Sequence, residues 1–227
     1  MNKKLWVISV GGSKIVPKEV DFEFLARFKD LIDSHPSHKF VVVTGGGSTA
    51  RNYINALRKL GKGTKAQSIA GISVTRLHAL FLARLFGEKA NDELPMNMKK
   101  VKNLLNKNQI VFCGALRYEK KNTSDGTSAK LAAFLNTSFI NLTNVKGLHS
   151  SNPLTNKNAK LIPKISWRAF KKRADQIRYK AGQHFVLDQA AARIILENKI
   201  PTYIVGSVGE IDKIIRGRKF VGTEISG

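Results

Sequence analysis

Two glycine clusters stand where short apolar runs end: Gly11-Gly12-Ser13 and Gly45-Gly46-Gly47-Ser48. Without a Cβ, backbone N–H groups can approach an anion closely. The start of a following helix adds positive partial charge. The chemistry these loops suit is phosphate binding, and two of them suggest one phosphorylated ligand or a pair. The alternative is that the glycines only turn the chain from strand to helix. Arg51 lies one helical turn beyond the triple glycine. From there a guanidinium either folds back over a phosphate as a bidentate fork or sits in solvent.

Other chemistries fit poorly. Gly45-x-Gly47-x-x-Ala50 matches a dinucleotide fingerprint, but the segment about 20 residues on has no acid to hold a ribose. A Walker G-x-x-x-x-G-K-[ST] string, the protein-kinase signatures and a G-x-S-x-G elbow are all absent. The five histidines show no paired metal spacing, and His35 and His38, flanking Pro36, read as solvated loop residues. No protein metal site is expected.

The elements that would carry the glycine loops alternate in type. Apolar runs at 5–10, 40–44, 109–113, 139–143 and 202–205 read as buried strands. Helical patterns cover 22–32, 48–60, 72–86, 125–135, 185–197 and 209–216, with Asp21 and Ser48 as caps. Buried strands alternating with amphipathic helices indicate an α/β fold with a largely parallel sheet. A polar connection at 144–160 separates two lobes of a single domain, about 1–140 and about 141–227. In such sheets ligands bind at the carboxyl ends of the strands, where both glycine clusters fall.

The chain has 227 residues, 42% hydrophobic and 8% aromatic, enough for a real core. Its single cysteine, Cys113, excludes a disulfide scaffold and fits a reducing compartment. The basic N-terminus with a short apolar run is too short for a signal peptide. No apolar run approaches the ~20 residues needed to cross a bilayer. A cytoplasmic protein without membrane contact is expected.

With 39 Lys plus Arg against 16 Asp plus Glu, the net charge is +23. Such a field attracts polyanions without choosing among them, so weak non-specific nucleic-acid binding at low salt is expected. The densest stretch, 157–180, holds nine basic residues and one acid, Asp175. Its Trp167, Phe170 and Tyr179 have helix-like spacing that suits packing better than base stacking.

The strings VISVGGSKIVP at 7–17, VVVTGGGSTARNYI at 41–54, GISVTRLHALFL at 71–82, TSDGTSAKLAAFLNTSFINLTNVKGLHSSNP at 123–153 and AGQHFVLDQAAARII at 181–195 together resemble the archaeal-type uridylate (UMP) kinases of the amino acid kinase family. The resemblance covers nearly the whole chain. It implies a three-layer α/β/α sandwich around a mainly parallel, eight-stranded sheet, and transfer of phosphate from ATP with Mg2+ to UMP. By position it assigns UMP to Gly45, Gly46, Ser68, Asn122, Thr123 and Ser124. It assigns ATP to Gly11, Gly12, Ser13, Gly47, Arg51, Thr143, Asn144, His149 and Asn152. Catalytic roles fall to Gly12, Lys14, Arg51 and Asp125. It also implies a hexamer built from dimers, with the helices at 22–32 and 72–86 at the dimer contact.

Several positions depart from the family pattern. Lys146 stands where relatives usually have Asp, His149 where they have Tyr or Phe, Asn152 where Asp precedes a proline, and Ser68 where an acid holds the ribose. Ser9 occupies the strand position near which many members carry a catalytic lysine, which leaves Lys14 as the nearest lysine. Asp188-Gln189 replaces an Asp-Pro pair. These changes keep open a diverged, non-catalytic or altered-specificity member that binds nucleotide, and the +23 charge alone keeps open a basic nucleic-acid-binding protein on the same scaffold.

Overall fold

A computed structural model describes residues 4–119, 123–153, 155–176 and 186–227. Its seven strands are β1 (Leu5–Val10), β2 (Lys39–Thr44), β3 (Ile110–Cys113), β4 (Ser138–Leu142), β5 (Lys164–Ile165), β6 (Thr202–Val205) and β7 (Gly222–Ile225). They form one sheet in the order β3-β2-β1-β4-β6-β7-β5. Every pairing is parallel except β6 with β7. The helices are α1 (Gly12–Ile15), α2 (Phe22–Asp33), α3 (Gly47–Lys59), α4 (Thr64–Phe86), α5 (Met98–Lys107), α6 (Ser124–Phe134), α7 (Trp167–Gln176), α8 (Gln189–Glu197) and α9 (Val208–Ile215).

Strand alternation splits the core into two layers. Trp6, Ile8 and Val10 of β1 face Phe28 and Ile32 of α2, Leu82 and Phe86 of α4, and Ile211 of α9. Val7, Val41 and Val43 face the other way, onto Val101 of α5, Leu131 of α6, Phe170 of α7 and Ile195 of α8. Burial on both faces explains why these strands are continuous apolar runs. Each fully buried Phe, Leu or Ile contributes about 1.5–3 kcal/mol. The result is the expected α/β/α sandwich, with seven strands among the described residues where eight were expected.

β1 has its sequence neighbour β2 on one side and β4 on the other. The connections therefore reverse direction between β1 and β4, and the crevice at that switch point is where open α/β sheets bind ligands. Val10 pairs with Leu142 at the carboxyl end, and the Gly11 N–H meets the Leu142 carbonyl at 3.4 Å.

Some local expectations change. His35 is buried, with Nε2 2.8 Å from Asp212 Oδ1, so it joins the turn before β2 to α9 instead of lying in solvent. Ser48 does not cap α3; Gly46 holds that place, and the Ser48 hydroxyl donates to the Val16 and Pro17 carbonyls. Asp21 does cap α2, accepting from the Phe24 N–H at 2.8 Å. Although no continuous apolar run was expected to reach membrane-spanning length, the segment 64–89 around α4 is long and apolar enough by composition to cross a membrane. Val74, Ala79, Leu82, Ala83 and Phe86 on α4 are nevertheless buried within the protein.

Candidate functional site

The two glycine loops interlock backbone against backbone beside the switch point. A Cβ on Gly12 would stand 2.5 Å from the Gly45 carbonyl oxygen and the Gly47 nitrogen. Gly47 has φ +59, and a Cβ there would stand 2.5 Å from the Ser13 nitrogen. Side chains at either position would push the loops apart, so these two glycines are required by close approach and, at Gly47, by the left-handed backbone. No side chain caps α3, so its first N–H groups are donors that an anion can satisfy.

Beside this interlock lies a cavity of about 230 Å³. Its walls include Gly46, Gly47, Ala50 and Ile54 from α3 and its N-terminus, Ser68, Gly71, Ile72 and Thr75 from α4, and Thr123 and Ser124 at the start of α6. The structure thus brings together Gly46, Gly47, Ser68, Thr123 and Ser124, from three segments far apart in sequence. Gly45 adjoins them, since a Cβ on it would stand 3.6 Å from Ser124 Oγ. Asn122 lies outside the described residues.

Sequence reasoning passed over the rest of the lining. Arg117, Tyr118 and Glu119, in the loop after β3, close one side. Arg117 Nε donates to Glu119 at 2.8 Å and Lys130 donates to its other oxygen. These hydrogen bonds, led by that from Lys130, hold the Glu119 carboxyl below the usual range. The polar, basic character of that loop was the only signal, and it did not say which way the loop turned.

Arg51 is exposed on α3 and takes no part in this lining, whereas Ala50 and Ile54 of the same helix do. Lys14 on α1 reaches across the carboxyl ends of the strands, with Nζ 2.9 Å from the Gly206 carbonyl after β6. Burial pulls its pKa down. Lys14 therefore places a cation between the β1 and β6 loops, in a chain that has Ser9 on the first strand.

Asp125 does not line the cavity described above. Its Oδ1 accepts from the Ser9 hydroxyl at 3.2 Å. Burial first, and then the neighbouring Asp188 carboxylate, push its pKa up to about 7, against the Ser9 hydrogen bond. Asp188 caps α8 through the Ala191 N–H at 2.7 Å and also accepts from the Thr123 hydroxyl. One carboxylate thereby ties the starts of α6 and α8 together. Asp188 thus holds Thr123, which lines the cavity, and sequence reasoning noted it only as a departure.

On the other side of the switch point, Thr143 and Asn144 follow β4, and the Thr143 N–H donates to Val205 at 2.9 Å. A Cβ on Gly206 would stand 3.0 Å from the Val145 carbonyl, so the β4 and β6 loops meet where Lys14 ends. His149 turns to its own chain, with Nδ1 2.9 Å from the Gly147 carbonyl, and forms an isolated bridge with Leu161. Arg173 holds the His149 and Ser150 carbonyls from α7. Asn152 lies beyond, in an exposed turn where its carbonyl accepts from Thr155 and Asn156.

Comparison with known proteins gives this geometry its context. The family model for the Amino acid kinase family matches residues 4–206. A uridylate kinase of Pyrococcus abyssi is 33% identical over 223 residues, which is 96% of this chain and 98% of that protein. One from Thermoplasma acidophilum is 30% identical over 227 residues, 99% and 97% of the two chains. The crystal structure of uridylate kinase from Archaeoglobus fulgidus superposes with a TM-score of 0.84 at 31% identity, covering 97% of this chain and 99% of that one. A UMP kinase from Bacillus anthracis shares the fold, with a TM-score of 0.80 at 21% identity, over 98% and 96%.

Proposed function

The chain belongs to the amino acid kinase family, and we propose that it transfers the γ-phosphoryl group of ATP directly to UMP, forming UDP and ADP. The observation that carries this reading is the pair of interlocked glycine loops at the switch point, with a cavity on their acceptor side walled by Gly46, Ser68, Thr123 and Ser124. The near full-length likeness to proteins named uridylate kinase supports the choice of acceptor.

In this reading UMP enters between α3, α4 and the start of α6, in the lobe at about 1–140. Its phosphate faces Gly45, Gly46 and the free N–H groups of α3. ATP lies in the lobe at about 141–227, along Thr143 and Asn144, with His149 and Asn152 at the far side. Its γ-phosphate meets Gly11, Gly12, Ser13 and Gly47. Phosphoryl transfer needs alignment and charge neutralisation more than covalent chemistry. Backbone N–H groups give the alignment, and Lys14 and Arg51 give the charge. Asp125, ionising near neutral pH, sets the charge at the start of α6.

Mg2+ would neutralise phosphate oxygens when bound. Such ions rest on substrate phosphates with one or two carboxylates and retained water. Among the described residues no group of three or more His, Cys, Asp and Glu gathers to hold a metal. The product is a pyrimidine nucleoside diphosphate, so the enzyme serves pyrimidine nucleotide synthesis, and we read it as cytoplasmic.

A coupled assay of ADP release against UMP, CMP and AMP tests the proposal. UMP is expected to give the highest kcat/KM. ATP turnover that no nucleoside monophosphate stimulates would contradict it.

A further inference from the structure

His78, on α4, is 4% exposed and does not line the acceptor cavity. Its Nδ1 lies 2.8 Å from the Gly45 carbonyl oxygen. A carbonyl only accepts, so Nδ1 carries the proton and His78 donates. One turn earlier, the Thr75 carbonyl accepts from the Thr44 hydroxyl at 2.7 Å, and the Thr75 hydroxyl oxygen accepts from the Ala115 N–H at 3.0 Å. Arg76 donates to the Ala115 and Leu116 carbonyls at 3.1 and 2.8 Å. A single stretch of α4 thus grips both the glycine loop and the loop after β3, two walls of one cavity.

The grip on Gly45 matters because of what lies next to it. In a trans peptide the C=O and the following N–H point in opposite directions. The Gly45–Gly46 peptide is flanked by residues without Cβ, which oppose rotation of its plane least. With its carbonyl held by His78, its N–H is fixed in the opposite direction, on Gly46, a residue that lines the acceptor cavity. We propose that His78 is a positioning residue: it locks the Gly45–Gly46 peptide plane and thereby sets acceptor affinity without touching the acceptor. This rests on reading the cavity as the UMP site.

Asparagine places its side-chain nitrogen, Nδ2, at the same branch of the side chain as histidine Nδ1, so it can give the same hydrogen bond; leucine cannot. Steady-state kinetics with UMP and ATP varied in turn, alongside thermal unfolding, test the idea. His78→Leu is expected to raise KM for UMP roughly three- to tenfold, the range set by one hydrogen bond. Turnover number and KM for ATP should stay within about twofold, since the loss falls on acceptor binding. His78→Asn should restore KM for UMP whatever its unfolding midpoint.

An unchanged KM for UMP in the leucine variant, or an asparagine variant as weak as leucine, overturns the inference. If the leucine variant does not fold, His78→Gln, with its donor displaced by one methylene, should still raise KM for UMP, and a wild-type value there overturns it equally. A wild-type enzyme that does not phosphorylate UMP overturns the underlying reading itself, which the same assay reports separately.

Discussion

Asp125 carries a pH dependence whose direction follows from its surroundings. Burial and the Asp188 carboxylate raise its pKa to about 7, whereas in the unfolded chain an aspartate titrates near 3.9. Between roughly pH 4 and 7 the native state holds a proton that the unfolded state has lost. Stability therefore falls as pH rises through that window and levels off above it, by an amount on the order of a few kcal/mol. Asp125→Asn should flatten this slope and raise stability at about pH 8 relative to wild type, while lowering turnover. Urea unfolding at two pH values reads the first effect; an unaltered slope would show that Asp125 ionises normally. Arg51 offers a second test. If it swings over the transferring phosphate, Arg51→Lys should lower turnover about tenfold, because an ammonium cannot replace a bidentate fork. Unchanged kinetics would leave Arg51 as the solvated residue its exposure on α3 also allows.

At the scale of elements, the starts of α6 and α8 are coupled through Asp188. Asp188→Ala removes the cap of α8 and the partner of the Thr123 hydroxyl, at a cost of about 1–2 kcal/mol. It should also lower the pKa of Asp125, because a like charge leaves. A denaturation midpoint equal to wild type would show that the cap is redundant. This coupling was not legible in the sequence, since residues 123 and 188 meet only through the tertiary fold. What was legible was periodic: β1 and β6 fall at 5–10 and 202–205 as their apolar runs indicate, and α2, α3, α6 and α9 lie within a residue of their patterns. What was missed lacks that signal. The two-residue β5 is too short to show alternation, and β7 reads Gly-Thr-Glu-Ile. The basic α5 and α7 each bury only two residues. The first two turns of α4, from Thr64, are mostly exposed, and the apolar pattern becomes dense only further along. His35 looked like a loop histidine because its partner, Asp212, is on α9.

For the whole molecule, the outer face of α4 sets the expectation. Leu77 is 59% exposed, and Leu80, Phe81 and Leu85 are each more than a third exposed on the same helix. A monomer rarely leaves such a contiguous apolar face open. A symmetric homo-oligomer is expected, built from dimers through α4 into a hexamer. Light scattering should then give a mass that is a multiple of 25.1 kDa. A monomer at working concentration would contradict this, and Leu77→Lys should shift the mass downward while leaving the fold intact. The net charge of +23 adds a field that draws phosphorylated substrates toward every face. It makes polyanion binding at low salt a poor guide to function, so the decisive measurement has to follow the phosphoryl group itself. With ATP labelled at the γ-phosphate, purified protein, Mg2+ and UMP at near-physiological salt, label is expected to appear in UDP as ADP forms in equal amount. Label released as free phosphate, or label retained in ATP whatever monophosphate is supplied, would contradict it.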